Sequence, residues 1–254
     1  MKPSVNPDIY DKDYYLRGGY QGSEDVFLSS LNTSEYCYDY PLRLAEIKPG
    51  DKVLDIGCGI GKAAYKAMKA GAVVTGVDYS KDAIEIADQI KSSLPQDEQR
   101  NLSFVAADIL SFPDSPRYDV IFMLDIVEHL YDWQLTELFA KAARMLSGDG
   151  GSLIIHTAPN KWNIKYLYPT KRFLGRILTF RAPGNVAYQR SKYFYDPGMH
   201  VNEQTLWSLR RHLKIFKAKV WCEDFSKNLL ALATRGILGN HIWAVATNPA
   251  VRNK

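Results

Sequence analysis

An acid followed by three glycines at alternate positions is the segment of this chain best suited to chemistry. Residues 53–61 read Val-Leu-Asp-Ile-Gly-Cys-Gly-Ile-Gly, so that Asp55 precedes Gly57, Gly59 and Gly61. Glycine accepts positive φ and has no Cβ, so such a loop can turn sharply and bring bare backbone against a ligand. The dinucleotide fingerprint has the different spacing G-x-G-x-x-G. Because a carboxylate repels a pyrophosphate and attracts a cation, we expect a ligand with positive charge.

Further acids follow the next apolar runs along the chain. The run 72–77 leads to Asp78, the run 102–107 leads to Asp108, and the run 118–124 leads to a segment that contains Glu128. An acid at the end of a second strand can accept hydrogen bonds from ribose hydroxyls. Ligands of open parallel sheets bind beyond the carboxyl ends of the strands. We therefore expect Asp55, Asp78, Asp108 and Glu128 to converge on one crevice.

These motifs, in this order, resemble the class I S-adenosylmethionine-dependent methyltransferases. The resemblance implies S-adenosylmethionine as cofactor and S-adenosylhomocysteine as product, and the ammonium and sulfonium of the former suit Asp55. It also implies that Asp78 binds the ribose and Asp108 the adenine amino group. The other cofactor contacts that we predict are Gly57, Cys58, Gly59, Gly61, Tyr79, Ala107, Ile109, Leu124, Tyr15 and Arg43.

The adjacent pair Glu128 and His129 resembles small-molecule O-methyltransferases, notably those that act on ubiquinone precursors. Methyl transfer to a hydroxyl is helped by a base that takes the proton, and histidine has a suitable pKa near neutrality. His129 is the predicted base with Glu128 beside it; the alternative is that His129 only orients its loop. Together with His200 the pair could also bind Mg²⁺, but no second E-x-x-H accompanies it, and we predict no metal.

Substrate contacts are expected after the fifth strand, where the resemblance places the substrate pocket. His156 lies in the apolar run 152–157 and points either into the core or into the mouth of the pocket. Residues 159–199 contain eight basic residues, one acid and many aromatic side chains. We predict that this basic aromatic insertion forms the pocket, and that His156, Tyr195 and His200 contact the substrate.

The insertion has alternative interpretations. Residues 161–180 mix apolar and basic side chains as membrane-surface helices do, although Pro169 interrupts a continuous helix. RNA binding ranks last, because no RNA-binding module accompanies the patch and the whole-chain pI of 8.8 is ordinary. A solvated flap without a partner is the plainest interpretation. The oligomeric state does not follow from the sequence.

Composition indicates a soluble globular protein. The 254 residues are 46% hydrophobic and 24% charged, with no apolar stretch of roughly 18 residues that would cross a membrane. The N-terminus has no signal-peptide core, and three cysteines without a C-x-x-C pair favour a reducing compartment. We therefore expect a cytoplasmic protein, with contact to the membrane surface as an alternative.

Alternating apolar patterns predict an α/β fold, a Rossmann-like doubly wound sheet of seven strands that is mostly parallel with an antiparallel last strand. Residues 1–50 are expected to form a helical lid segment and residues 51–254 a methyltransferase domain with the insertion at 159–199. Gly148 is the predicted C-cap of the helix over 132–146. The predicted strands are 52–56, 73–77, 102–106, 118–124, 150–157, 215–221 and 241–247, and the predicted helices are 31–48, 60–70, 81–93, 132–146 and 203–213.

The predicted function is methyl transfer from S-adenosylmethionine to a small molecule, with a hydroxyl oxygen as the acceptor atom. N-methylation of a small molecule or sugar is the first alternative. A non-catalytic protein that binds the cofactor as a scaffold or regulator is the second. A nicotinamide-dependent oxidoreductase is disfavoured by the spacing of the glycines.

Overall fold

A seven-stranded sheet forms the centre of the computed structural model, which describes residues 3–18, 35–148, 150–167, 170, 173, 198–223 and 236–249. The strand order is β3-β2-β1-β4-β5-β7-β6. The first five strands run parallel, and β7 is antiparallel to both of its neighbours. The predicted fold class is therefore confirmed. The strands are β1 (Lys52–Ile56), β2 (Val73–Asp78), β3 (Leu102–Ala106), β4 (Val120–Leu124), β5 (Ser152–Thr157), β6 (Lys217–Glu223) and β7 (His241–Thr247).

Helices cover both faces of the sheet. Their apolar sides face it because each presents buried residues at helical spacing. The α-helices are α1 (Lys12–Gly18), α2 (Tyr36–Ala45), α3 (Lys62–Lys69), α4 (Lys81–Ser92), α5 (Gln96–Gln99), α6 (Asp132–Met145) and α7 (Leu206–His212), with short 3₁₀ turns at Pro7–Ile9, Val127–His129 and Leu213–Ile215 and a π turn at Asn163–Leu167.

Neighbouring residues along the central strands serve two separate cores. Val53 packs with α3 and α4 on one face, whereas Leu54 packs with α6 and α7 on the other. The same alternation continues in β4, where Phe122 belongs to the first core and Met123 to the second. All four side chains are almost fully buried. Parallel strands covered on both faces carry such continuous apolar runs. These strands could therefore be predicted from the sequence.

The winding direction of the sheet reverses between β1 and β4, since β2 and β3 extend one half and β5 the other. In doubly wound sheets, the crevice at such a reversal holds the ligand. The acids at the carboxyl ends of β1, β2 and β4 therefore face the same space. This is the position that the sequence predicted for the site.

The N-terminal segment packs against the carboxyl edge of the sheet. The Ser80 hydroxyl donates to the Tyr10 carbonyl over 2.6 Å, and the Trp133 indole N–H donates to the Pro3 carbonyl over 2.9 Å. In α2, the hydroxyls of Tyr36 and Tyr40 both donate to the Glu223 carboxylate at the end of β6. Residues 3–15 and α2 are thus attached to the sheet at separate places.

The helix α6 ends before the glycine that the sequence predicted as its cap. The predicted cap at Gly148 is wrong: α6 ends at Met145, and Leu146 is extended and bridges to Tyr118. Most of the predicted insertion at 159–199, including Tyr195, lies outside the described residues. Within the described ranges, no helix has the length and apolar character needed to cross a bilayer.

Candidate active site

A cleft of about 1100 Å³ opens at the carboxyl edge of the sheet, between the strand ends and residues of the N-terminal segment. Most predicted site residues line it, and so the structure brings together residues from five strand ends. Those that line the cleft are Tyr15, Asp55, Gly57, Cys58, Gly59, Asp78, Tyr79, Ala107, Asp108, Ile109, Leu124, Glu128, His129, His156 and His200.

The glycine loop owes its shape to positive φ angles. Gly57, Gly59 and Gly61 have φ values of 70°, 51° and 84°. A Cβ on Gly57 would overlap the Ile126 side chain, and one on Gly61 would lie 2.5 Å from the Phe104 ring. Other residues would be strained here and would also clash. Gly61 is not among the residues that line the cleft; it caps α3 and gives room to Phe104.

Asp55 holds an unsatisfied acidic oxygen at the base of the cleft. Its side chain is 2% exposed, and its Oδ2 has no hydrogen-bond partner among the described residues. Burial, with a smaller contribution from the negative charge of Asp78, raises the pKa of Asp55 to about 7. A buried polar atom without a partner is costly, so a positively charged or hydrogen-bonding ligand beside it would be stabilised.

Asp78 ties the glycine loop to the end of β2. Its Oδ2 accepts from the Gly59 N–H over 2.9 Å, and its Oδ1 accepts from the Ser80 N–H over 2.8 Å. Burial raises the pKa of Asp78, and these hydrogen bonds oppose the rise. Ser80, and not Asp78, caps α4 by accepting from the Ala83 N–H. A carboxylate offers about four acceptor positions, so Asp78 retains capacity for ligand hydroxyls.

Asp108 lies in the turn after β3. Its Oδ1 accepts from the Leu110 N–H over 2.9 Å, which stabilises the turn, and the residue lines the cleft. Tyr79 and Ile109 also line the cleft, and the Tyr79 side chain is partly exposed. The binding of the adenine amino group by Asp108, and the cofactor contacts of Tyr79 and Ile109, stay predictions.

His129 is fixed by its Nδ1 atom. This atom lies 3.1 Å from the Met199 carbonyl oxygen and 2.8 Å from the Tyr10 hydroxyl. A carbonyl can only accept, so the contact assigns the proton to Nδ1 and the lone pair to Nε2. Burial, and then the neighbouring His200, lowers the pKa of His129 to about 4. The imidazole is therefore neutral at physiological pH with its lone pair on Nε2, and the lowered pKa makes it a weaker base than the free histidine assumed from the sequence.

Glu128 is more deeply enclosed than its neighbour. Its Oε2 accepts from the Thr157 hydroxyl over 2.8 Å, and its backbone carbonyl accepts from the Asn202 N–H over 3.0 Å. Burial, and then the charge of Asp125, raises the pKa of Glu128 well above its ordinary value. These contacts favour a role in holding the end of β5 and the segment around Asn202, rather than a role as the base.

Asp125 was not among the predicted site residues, although it lines the cleft. It follows β4 directly, as Asp78 ends β2, so its position at a strand end was the signal that could have found it. Its backbone is left-handed with φ 55°, and about half of its side-chain surface (51%) is exposed. Its Oδ1 lies 2.8 Å from Nδ1 of His156.

His156 is both buried and close to the cleft. Its ring is 2% exposed, and its centroid lies 4.1 Å from that of the buried Trp243. Its Nε2 lies 3.0 Å from Nδ1 of His241, which also lines the cleft. Both alternatives predicted for His156 therefore describe it in part. His200 is half-buried in the cleft, and its ring meets that of His129 edge to face at 4.6 Å.

Comparison with known proteins agrees with this geometry. The family described as "Methyltransferase domain" matches residues 53–150. Residues 53–150 therefore form a methyltransferase domain, and its relatives support the resemblance to the class I S-adenosylmethionine-dependent methyltransferases. It is 26% identical over 226 residues to (S)-coclaurine N-methyltransferase of Papaver somniferum, covering 84% of this chain and 59% of that protein. It is 29% identical over 174 residues to a ubiquinone biosynthesis O-methyltransferase of Coxiella burnetii, covering 66% of this chain and 68% of that protein.

Solved structures agree on the fold of the methyltransferase domain. A putative methyltransferase in complex with the Haloferax volcanii Trm112 activator has a TM-score of 0.63 at 13% identity, covering 94% of this chain and 98% of that one. At this identity the similarity concerns the fold alone. The chain spans less than two thirds of the length of the N-methyltransferase relative.

The cleft of the methyltransferase domain fits the charges of S-adenosylmethionine. The unpartnered Oδ2 of Asp55 lies next to a glycine loop that exposes backbone, which suits a ligand with an ammonium and a sulfonium. Asp78 retains acceptor positions for a ribose. We therefore infer that Asp55, Asp78, Asp108 and the loop of Gly57 and Gly59 would hold the cofactor.

Two further predictions concern Arg43 and the absence of a metal ion. Arg43 was expected to contact the cofactor, but it is not a lining residue of the cleft: its guanidinium lies over the ring of Tyr40, 5.4 Å from the centroid. In the part of the chain that is described, no three or more His, Cys, Asp or Glu side chains are grouped to hold a metal ion. The prediction that no metal is needed awaits an assay in the presence of a chelator.

Proposed function

We propose that this protein transfers a methyl group from S-adenosylmethionine to a small molecule and that the acceptor atom is a hydroxyl oxygen. One observation carries the proposal. A cleft that holds a buried Asp55 oxygen, without a hydrogen-bond partner among the described residues, beside a glycine loop also contains a neutral histidine whose Nδ1 is oriented by a backbone carbonyl. The first feature suits the cofactor, and the second suits an acceptor that must lose a proton.

The cofactor supplies a methyl group activated by the positive charge on sulfur. The protein's contribution is to hold the acceptor in line and to take its proton. Nδ1–H of His129 donates to Met199, so that Nε2 is the atom that accepts the acceptor's proton. The hydroxyl of Tyr10, 2.8 Å from Nδ1, restrains the ring further. Tyr10, Tyr14 and Tyr15 line the cleft, and their rings would exclude water from it.

N-methylation is the second candidate, and the similarity to a plant N-methyltransferase favours it. Identification of the methylated atom in the product by NMR would separate the two candidates, because O-methyl and N-methyl protons and carbons have different shifts.

The test of the proposal is the variant His129→Asn. The Asn amide can still donate to the Met199 carbonyl but has no counterpart of Nε2, so it removes the base and keeps the contact. Turnover of a panel of catechols, phenols and amines, followed by release of S-adenosylhomocysteine, should fall about 10²–10⁴-fold. The affinity for S-adenosylhomocysteine should stay within about twofold of wild type.

A matched control is Asp88→Asn, which removes an exposed carboxylate on α4 outside the cleft lining. It should leave both turnover and affinity unchanged. Unchanged turnover in His129→Asn would refute its role as the base. No turnover of any acceptor by the wild-type protein, together with tight cofactor binding, would favour the non-catalytic scaffold.

Contact with a membrane surface through residues 161–180 stays a proposal. The described residues of this segment include Tyr166 and Phe173, both at least half exposed, and Lys165 lies over the Tyr166 ring at 5.3 Å. Exposed aromatic and basic side chains of this kind support it. Co-sedimentation with vesicles that contain anionic lipid should retain the protein, and Tyr166→Ser should reduce the retained fraction; equal retention would refute the contact.

A further inference from the structure

Asp125 has a left-handed backbone conformation, which is uncommon outside glycine, although aspartate and asparagine adopt it more often than other residues. Its φ of 55° lies in the left-handed region, and its N–H donates to the carbonyl of His156 over 3.0 Å. Non-glycine residues in this region are strained, and such strain persists where the surroundings impose it, often at functional sites. The strain here directs a carboxylate into the cleft, directly after β4.

Two histidines form a chain of contacts that ends at this carboxylate. Nδ1 of His156 lies 2.8 Å from Oδ1 of Asp125, and Nε2 of His156 lies 3.0 Å from Nδ1 of His241. This contact has the distance of an ion pair but not the geometry of a hydrogen bond, because Nδ1 of His156 has no hydrogen-bond partner among the described residues. Packing on Trp243 fixes the His156 ring. The second oxygen of Asp125 is left for the cleft, since about half of the side chain (51%) stays exposed.

The electrostatic surroundings keep this group charged. Partial burial favours the neutral form, but the contact with His156, with a smaller contribution from His241, holds the pKa of Asp125 below its ordinary value. Burial lowers the pKa of His129 and of His200, so both imidazoles are neutral near pH 7, and burial raises the pKa of Glu128 well above its ordinary value.

The cleft lining contains little positive charge to balance Asp125. In the part of the chain that the structure describes, Lys62 is the sole lysine or arginine of the lining, and it forms an ion pair with Glu35. Asp55, Asp78 and Asp108 are the acids that we infer to hold the cofactor. The carboxylate of Asp125 is therefore an anion available to the methyl acceptor.

We propose that Asp125 selects the acceptor, and that this acceptor is a hydroxylated molecule with a protonated amine that binds the Asp125 carboxylate. This inference rests on the proposed methyl transfer. A protonated amine has no lone pair, so it cannot accept a methyl group while it donates to Asp125. The amine thus serves as the recognised group, and the hydroxyl is the group that reacts.

Three matched phenols test the charge preference. Tyramine, tyrosol and 4-hydroxyphenylacetate share a phenol and carry a cationic, a neutral and an anionic end, respectively. They are titrated calorimetrically into the full chain saturated with S-adenosylhomocysteine at pH 7. Tyramine should bind at least tenfold more tightly than tyrosol, and 4-hydroxyphenylacetate should bind more weakly than both.

Two variants assign the preference to Asp125. Asp125→Asn keeps the size of the side chain, and asparagine tolerates the left-handed region. Asp125→Gly relieves the backbone strain and so keeps the protein folded should the first variant fail. Both should bind tyramine no more tightly than tyrosol and should keep the affinity for S-adenosylhomocysteine within twofold, and Asp88→Asn should behave as wild type.

The outcomes separate the two proposals. Failure of the wild-type protein to bind S-adenosylhomocysteine would refute the proposed function. Binding of S-adenosylhomocysteine without a preference for tyramine over tyrosol, or without measurable binding of any phenol, would overturn only the proposal that Asp125 selects the acceptor. So would a preference that persists in both Asp125 variants.

Discussion

At the scale of single residues, the acids of the cleft differ in how firmly each holds its proton. Burial raises the pKa of Asp55 and of Glu128, whereas at Asp125 the neighbouring imidazoles, His156 foremost, together outweigh burial and lower the pKa. The difference follows from partners, because Asp55 Oδ2 has none in the described ranges and Asp125 has an imidazole. These assignments could not be read from the sequence, which showed only that each acid ends or follows a strand.

The raised pKa of Asp55 predicts a pH-dependent stability. Its folded pKa of about 7 exceeds the ordinary value of 3.8, so the folded state binds more protons between these values. Stability from this group is therefore fully present at low pH and is lost as the pH rises towards 7. In the ligand-free state, Asp55→Asn should gain roughly 2 kcal/mol relative to wild type between pH 5 and pH 8.

Urea unfolding of both proteins at the two pH values measures this gain. Asp88→Asn controls for the loss of one exposed carboxylate. An equal pH dependence for wild type and Asp55→Asn would show that Asp55 is ionised in the folded state throughout this range.

Asp78 predicts an effect on binding. Removing its carboxylate in Asp78→Ala eliminates the hydrogen bond from the Gly59 N–H and the acceptors proposed for the ribose. The affinity for S-adenosylhomocysteine should weaken by about 1–3 kcal/mol, as measured by calorimetry. An affinity equal to that of wild type would exclude Asp78 from the cofactor site.

At the scale of elements, the strands were predictable because their apolar runs are buried on both faces. β1 and β3 have the predicted bounds, and β4 begins two residues late because Tyr118 makes only an isolated bridge to Leu146. The histidine pair behind Asp125 was not predictable, since it depends on β7 lying beside β5. From the order of the strands along the chain, β6 would be expected beside β5 instead. The position of Arg43 depends on how α2 is rotated against its neighbours, which periodicity alone did not fix.

The glycine loop gives a prediction at this scale. Gly57→Ala places a Cβ against Ile126 at a φ of 70° and should lower the free energy of unfolding by about 1–3 kcal/mol. Gly148→Ala is the matched control, because nothing lies within 4 Å of its added Cβ. Its stability should stay within about 0.5 kcal/mol of wild type. Chemical denaturation compares the two, and equal stabilities would show that the loop tolerates a side chain.

At the scale of the whole molecule, the two halves of the sheet supply different groups of residues to the cleft. The ends of β1, β2 and β3 supply the residues that we assign to the cofactor, and the ends of β4, β5 and β7 supply Asp125, His156 and His241. The N-terminal segment contributes Tyr10 and Tyr15 to the same cleft. The prediction of one crevice at the carboxyl edge therefore holds, because parallel strands fix which ends meet.

The central claim is that this cleft binds the methyltransferase cofactor, and calorimetric titration with S-adenosylhomocysteine tests it most directly. NADH is the control ligand, since a nicotinamide-dependent enzyme would bind it. We predict saturable 1:1 binding of S-adenosylhomocysteine in the micromolar range and no heat of binding with NADH. Binding of NADH alone, or of neither ligand, would contradict the claim.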